Sequence, residues 1–440
     1  MATNIRRQAA FLTLANVATR ATGFVLHLML ARLMGPEALG VMEMAHSVEM
    51  LALTPVVAGV PTAMSRLVAQ RDDHGRAEVL RAGITVVKRM AWRIMPAMLL
   101  LSPLLAWFLG DSRTLPAILV SVPDVLLLGL CAVYSGYCYG VGDTRMPAIS
   151  ECGEQAIRFL FCGGLLLLFR HMPLGFVSAI PGAAETVAAF SVMGYVRSHL
   201  PLREANISSP MLEKELVRLS MPTVTSRFCA TGVRAFSAVL LPVCLRRSGL
   251  SLTAATAQYG LLTGMALPLM MLPGMVTGAI AMVATPAVST MEQDPRSLRR
   301  LASQLQWSGL GLGVAACAGL WVLAEFIAGT LYHTSALAPL LRLMSPMTVM
   351  LAVHQVQYGM IAGLGMQRQA LTGTLLAALV QLGLMAYLVP LSRLRLFGAV
   401  IAMTCGEAVN LLWSTSLLSR RLKKNMTSTK SACKISSGVV

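Results

Sequence analysis

The sequence predicts an all-α membrane protein of about twelve transmembrane helices, arranged as two six-helix lobes around a central cavity. Three observations predict it. Only 12% of the 440 residues are charged while 56% are hydrophobic, and the mean hydropathy is +0.68. A soluble domain carries roughly 25% charged residues, so this chain cannot cover a water-facing surface and lipid must be its solvent. The apolar runs are long and rich in Leu, Ala, Met and Gly, a helical pattern rather than the alternation over about 10 residues that marks a transmembrane barrel. Lys and Arg, finally, concentrate in alternate connections, as the positive-inside rule requires of a polytopic helical protein.

At about 20 residues per crossing, the spans fall at 10–33, 39–65, 94–109, 115–141, 147–169, 173–196, 219–245, 252–285, 302–324, 336–365, 370–390 and 396–419. Arg6 and Arg7 precede the first run as they would in a signal peptide. That run is too long for a signal core and another span follows it, so it reads as a retained helix. The eighth span sits in 248–291, which has no charge and exceeds one crossing; Pro268 and Pro273 break or bend it there. Of the 36 Lys and Arg, 24 lie at the termini and even-numbered connections, eight in the odd-numbered ones, and four inside spans. This bias places both termini in the cytoplasm and makes the number of spans even. The chain is thus expected in the inner (plasma) membrane, and its net charge of +17 is a topological signal rather than a nucleic-acid footprint. The nine cysteines are scattered without a CxxC spacing, which excludes a disulfide framework or a zinc site.

The most polar central stretch, 197–218, divides the spans six and six. The expected organisation is an N-terminal lobe at 1–200, a cytoplasmic connection at 201–214, a C-terminal lobe at 215–420 and a disordered cytoplasmic tail at 421–440. One internal repeat supports two related halves. Gly140-Val-Gly142-Asp-Thr-Arg145 recurs as Gly363-Leu-Gly365-Met-Gln-Arg368, each joining the fourth and fifth helices of its half. No strand precedes either GxGxxR, so neither is a dinucleotide fingerprint; each reads as a tight cytoplasmic turn anchored by Arg. Halves that both start inside are parallel repeats about an axis along the membrane normal.

Charged groups inside spans are the candidates for function, because each costs roughly 2.5–3.5 kcal/mol at the bilayer centre. Helix one carries Asn16, Arg20, Gly23 and His27 on one face. Arg20 could meet an anionic head group, since guanidinium matches phosphate oxygens in a fork, or could pair with an acid of a neighbouring helix. In helix two, Glu43, His46 and Glu49 fall in successive turns. Glu43 is interfacial, Glu49 could carry a proton or balance Arg20, and His46 could titrate near neutral pH. Glu151, Glu154, Gln155 and Arg158 share helix five, with Glu154 and Arg158 in the order that favours a local pair. Arg227 and Arg234 lie on one face of helix seven, and that helix holds no acid. Asp124, Glu185 and Glu407 are lone acids in helices four, six and twelve, each a structural partner for these arginines or a coupling site. No nucleophile–base set, metal-ligand spacing or phosphate loop is present in the sequence. The expectation is accordingly no enzyme, no cofactor, no metal and no nucleic acid.

Several stretches resemble a known family. Thr19-Arg20-Ala-Thr-Gly23-Phe24, Leu30-Ala31-Arg32-Leu-Met-Gly35 and Leu39-Gly40 are similar to the first helix and turn of stage V sporulation protein B-like members of the multidrug/oligosaccharidyl-lipid/polysaccharide (MOP) flippase superfamily. Gly59-Val-Pro61-Thr-Ala63-Met-Ser65-Arg66 resembles the end of their second helix. Gly136-Tyr137 to Gly140, Pro147-Ala148-Ile149-Ser150 and Glu154-Gln155-Ala-Ile-Arg158 resemble their fourth-to-fifth helix signature. The likeness implies a MATE-like pair of lobes, alternating access and, as cargo, a saccharide linked to polyprenyl pyrophosphate. It also implies a basic role for Arg20, with His27 where relatives often carry Arg.

The expected function is therefore a monomeric flippase for a lipid-linked cell-wall or polysaccharide precursor. Arg20, Asn16, His27, Arg227 and Arg234 are its candidate cargo groups, and Glu49, His46, Glu154, Arg158 and Glu407 its candidate coupling or ion-pair groups, with H+ or Na+ as the ion. Two rivals stay open: a MATE-type H+- or Na+-coupled drug or cation exporter, and a non-transporting membrane assembly scaffold.

Overall fold

The computed structural model describes residues 2–199, 209–291 and 294–436, and the side chains of 18–199, 209–291, 294 and 296–422. Most of the expected connection at 201–214, and the side chain of Asn16, lie outside the described residues. Within them the chain is helical and contains no strand. The elements in order are α1 (Ala2–Val57), α2 (Val60–Ala69), α3 (Asp73–Leu109), a 3-10 turn (Ser112–Thr114), α4 (Leu115–Val120), α5 (Asp124–Val141), α6 (Arg145–Phe169), α7 (Leu174–His199) and α8 (Pro210–Arg247). There follow α9 (Leu252–Gly260), a π turn (Leu261–Ala266), α10 (Leu267–Met271), α11 (Pro273–Thr290), α12 (Pro295–Phe326), a second π turn (Ile327–Leu331), α13 (Leu337–Gly363), α14 (Gln367–Leu388) and α15 (Leu396–Ser436).

Ten described helices are long and apolar enough to cross a membrane, and Leu252–Met271 with Pro273–Thr290, bent by 47°, makes an eleventh. The first of the ten, Ala18–Ala69, has 52 residues. That is roughly 78 Å at 1.5 Å per residue, against a hydrocarbon core of about 30 Å. It breaks at Gly35 (φ 73°, ψ 173°), just before Pro36, and again at Gly59 (φ 81°), two residues before Pro61. It therefore holds both the 10–33 and 39–65 spans, which gives twelve candidate crossings among the described residues.

The uncharged 248–291 stretch bends where its prolines predict. Pro268 has no N–H to give the carbonyl of Gly264 four residues earlier, and the helix widens into a π turn over Leu261–Ala266. The Gly264 oxygen is taken instead by His27 Nε2 at 2.6 Å. The end of the chain differs from expectation. The last helix continues to Ser436, although composition predicts disorder after residue 420. Extending an existing helix avoids the nucleation cost that a free-standing segment of this composition would meet.

The chain forms two compact units. The first comprises Met1–Val243 with Ser251–Gly264, and the second Cys244–Leu250 with Met265–Val440. In the first, Leu39, Met44, Met64, Leu67 and Leu80 are fully buried. Helices α1 and α9 touch backbone to backbone: a Cβ on Gly40 would collide with the Thr256 carbonyl, and one on Gly260 with that of Pro36. The same corner carries a polar clamp. Arg113 donates from Nε and Nη2 to the Asp111 carboxylate at 2.9 and 2.7 Å and from Nη1 to Glu37 at 2.6 Å, while Thr256 donates to Asp111 at 3.2 Å. Asp111 is buried in the connection between α3 and α4. Burial alone would raise its pKa, but the hydrogen bonds and charge of Arg113 hold the carboxyl below the usual carboxylate range. The second unit has its own core of Val288, Leu298, Val356, Met360 and Ile361.

The two GxGxxR turns have one geometry. Gly142 (φ 86°) and Gly365 (φ 69°) both sit in the left-handed region that glycine tolerates. Their leading glycines are packed where no side chain fits. A Cβ on Gly140 would lie 2.6 Å from Val68 Cβ, and one on Gly363 would strike the Thr285 carbonyl.

Candidate functional site

The first unit gathers ionisable groups from four helices. His46 Nδ1 of α1 lies 3.1 Å from Glu49 Oε2, one turn further on. Arg158 Nη2 of α6 donates to Glu185 Oε2 of α7 at 2.9 Å. Arg158 thus bypasses Glu154, its partner by sequence spacing, for an acid on the neighbouring helix. One ligand atom each from His46, Glu49 and Glu185 lie within 4.8 Å of one another. Asp124 stands at the start of α5, fully buried, with neither carboxylate oxygen hydrogen-bonded; Glu49 Oε1 is likewise buried and unpartnered.

Chemically this is a cation-accepting cluster. Glu49, Asp124 and Glu185 are buried, Glu154 is half-buried, and Arg158 is the fixed cation among them. A buried carboxylate is very costly unless it is paired, protonated or bound to an ion. The excess of acids therefore calls for protons or a small cation. Arg158 against Glu185, and His46 against Glu49, already occupy donors that a divalent metal would need, so the set suits a proton or a monovalent ion better.

The arginines behave differently. Arg20 on α1, and Arg227 and Arg234 on α8, are exposed and make no ion pair among the described residues. Glu49, a possible counter-ion for Arg20, is engaged by His46. The α8 stretch between Arg227 and Arg234 is held to α1 by Thr54, which donates to Thr231 at 3.1 Å, while Thr231 donates to the Arg227 carbonyl at 2.9 Å. All three guanidinium groups belong to the first unit. His27, on the same stripe as Arg20, caps Gly264 and lies 4.0 Å from Glu43.

The second unit has a simpler pair. His354 of α13 approaches Glu407 of α15, Nδ1 to Oε1, at 2.8 Å. His354 and Gln355 line a cavity of about 250 Å³ beside the α10–α11 bend, and Gln355 accepts from Thr277 at 2.8 Å. Sequence reasoning missed His354 and the Asp111–Arg113–Glu37 clamp. A lone histidine deep in the apolar 337–363 run was the available signal for the first. The clamp sits in a connection, where charges draw no notice.

Known proteins share this fold and parts of this sequence. Residues 5–292 match the family described as Polysaccharide biosynthesis protein. The chain is 28% identical over 429 residues to Stage V sporulation protein B of Bacillus subtilis (strain 168), covering 93% of this chain and 82% of that one. Sporulation protein YkvU of the same organism is 22% identical over 398 residues, covering 87% and 88%. Among solved structures, an inward-facing multidrug resistance MATE family transporter of the MOP superfamily superposes with a TM-score of 0.77 at 18% identity, over 94% of this chain and 96% of that one. An outward-facing MATE family transporter gives 0.65 at 16% identity, over 96% of each.

Proposed function

We propose, for a chain that belongs to the polysaccharide biosynthesis protein family and shares the fold of MATE transporters, that it flips a lipid-linked saccharide bearing a pyrophosphate from the inner to the outer leaflet. The coarser part of this reading is a multi-pass membrane transporter on the MATE fold, and the finer part is its cargo. What supports the finer reading is the free arginine set. Arg20, Arg227 and Arg234 occupy apolar helices, are exposed, and have no acidic partner among the described residues. A guanidinium in such a place needs an anion, and a pyrophosphate offers the forked oxygens it binds best. Arg20 and the α8 arginines hold the phosphates, and alternating access carries the head group across.

Coupling falls to the buried and half-buried acids of the first unit. Glu49, Asp124, Glu154 and Glu185 take up H+ or Na+ from outside, and Arg158 and His46 set how many charges must be neutralised. The protein works as a monomer in the inner membrane with both termini cytoplasmic. Reporter fusions after Gly110 and Arg170 should read outside, and one at the C-terminus inside. An external C-terminus contradicts this orientation.

One observation favours a second reading, export of drugs or other cations. The same acid cluster could hold a cationic cargo, and the solved structures of this fold include multidrug resistance transporters. Proteoliposomes separate the two. The flippase reading expects a fluorescent polyprenyl-pyrophosphate disaccharide to change leaflets, faster under an inward H+ or Na+ gradient, with no effect of excess lipophilic cation. Gradient-driven accumulation of the cation without any movement of the lipid overturns it.

A further inference from the structure

We infer that the outer face of α3, α5 and α7 in the first unit is a binding site for an anionic glycerophospholipid of the cytoplasmic leaflet, distinct from any cargo site. Its acyl portion has a mould. Met95 of α3, Leu126 and Leu127 of α5, and Val187 and Phe190 of α7 line an almost wholly apolar groove of about 370 Å³. Phe190 leaves 64% of its surface exposed along that groove.

Its head-group portion lies on the same stripe of α3. Lys88, Trp92 and Met95 are spaced i, i+4, i+7, which puts them on one helix face. Lys88 stands about 10 Å along the axis from Met95 at 1.5 Å per residue, the depth separating a lipid phosphate from the upper part of its own chain. Lys88 is exposed and makes no ion pair among the described residues, whereas its neighbour Arg89 is engaged by Glu213 at 2.8 Å. Trp92, 79% exposed, occupies the level between them, where indole favours the head-group boundary. Lys88 also lies in the 66–93 segment, which carries seven Lys and Arg and so faces the anionic cytoplasmic surface. Any lipid tail could fill the groove, but a head group with net negative charge also satisfies Lys88. A belt of Lys and Trp alone would attract anionic lipid diffusely; a groove that starts at Met95, on the same face of α3, adds a fixed place for one acyl portion.

Native mass spectrometry of the full chain, released from detergent with equal phosphatidylglycerol and phosphatidylcholine, tests this. The wild type should retain one phosphatidylglycerol about fivefold over phosphatidylcholine, the discrimination one basic residue supplies at a lipid surface. Lys88→Glu should bring the two lipids to parity. Val187→Trp, which fills the groove, should lower retention of both, with Leu126→Trp as the second groove-filling variant should the first fail to fold. Each variant is first matched to the wild-type melting temperature. A phosphatidylglycerol preference that survives Lys88→Glu overturns the proposal, as does unchanged lipid retention in both folded groove-filling variants.

Discussion

The two units treat ionisable groups in opposite ways. The first buries Glu49, Asp124 and Glu185 around one arginine and leaves carboxylate oxygens without partners. The second holds His354 against Glu407 at 2.8 Å, a pair that is neutral once it shares a proton. Yet the GxGxxR turns of the two are alike to the position of the left-handed glycine. The two turns agree where backbone geometry favours glycine, while the ionisable groups in the middle of the helices differ. In the first unit the buried acids outnumber the arginine that pairs with one of them; in the second, the His354–Glu407 pair matches one acid to one histidine.

The sharpest way to break this comparison is to remove the first unit's fixed cation. Arg158→Ala leaves Glu185 buried without a counter-charge, and loss of one partner of a buried pair costs about 3–5 kcal/mol. Thermal unfolding in detergent should show a large drop, and adding Glu185→Gln should recover most of it. A wild-type melting temperature for Arg158→Ala would mean that the cluster is already neutral and not poised.

The clamp at the α1–α9 corner should follow next. Asp111→Asn removes the charge that Arg113 holds through Nε and Nη2, leaving Arg113 to Glu37 alone, and should cost about 2–3 kcal/mol. The sign with pH is fixed by the lowered carboxyl. Its contribution is present above the ordinary aspartate value of about 3.9 and is lost as pH falls through the lower folded value. Stability measured down the acid limb should therefore fall less steeply in Asp111→Asn than in the wild type.

Smaller effects test the shared frame. Gly142→Ala and Gly365→Ala should each cost about 1–2 kcal/mol, the penalty of a Cβ in the left-handed region, and the two should agree within error. A large difference between them would undo the equivalence of the turns. The smallest change is expected in the second unit. Glu407→Gln keeps a hydrogen-bond partner for His354 and should cost about 1 kcal/mol, with transport retained if that pair is structural.

The helices were legible because lipid imposes one solution on an apolar chain. Pro268 and Pro273 marked a bent span, whereas the break at Gly35 between the 10–33 and 39–65 spans is seen only in the structure. The candidate residues were legible too, since a charge inside an apolar run stands out. Their partners were not. Arg158 chose Glu185, 27 residues away, over Glu154 at one helical turn, and Glu407 found His354 across 53 positions. Sequence spacing reports neighbours along one helix, whereas these pairs are decided by which faces of different helices pack together. His27 shows the same limit. Beside Arg20 it reads as a cargo group, but the carbonyl released by Pro268 gives it a backbone partner that no local pattern reveals.

In the proposed mechanism the unpaired arginines of the first unit hold an anionic lipid-linked cargo. Leaflet exchange of a fluorescent polyprenyl-pyrophosphate disaccharide by reconstituted Arg20→Ala, Arg234→Ala protein tests it most directly. The double variant should fold with the wild-type melting temperature and show no exchange above protein-free vesicles, and Arg20→Lys, Arg234→Ala should recover only part of it, because an ammonium lacks the forked geometry. Wild-type exchange by the folded double variant would contradict it.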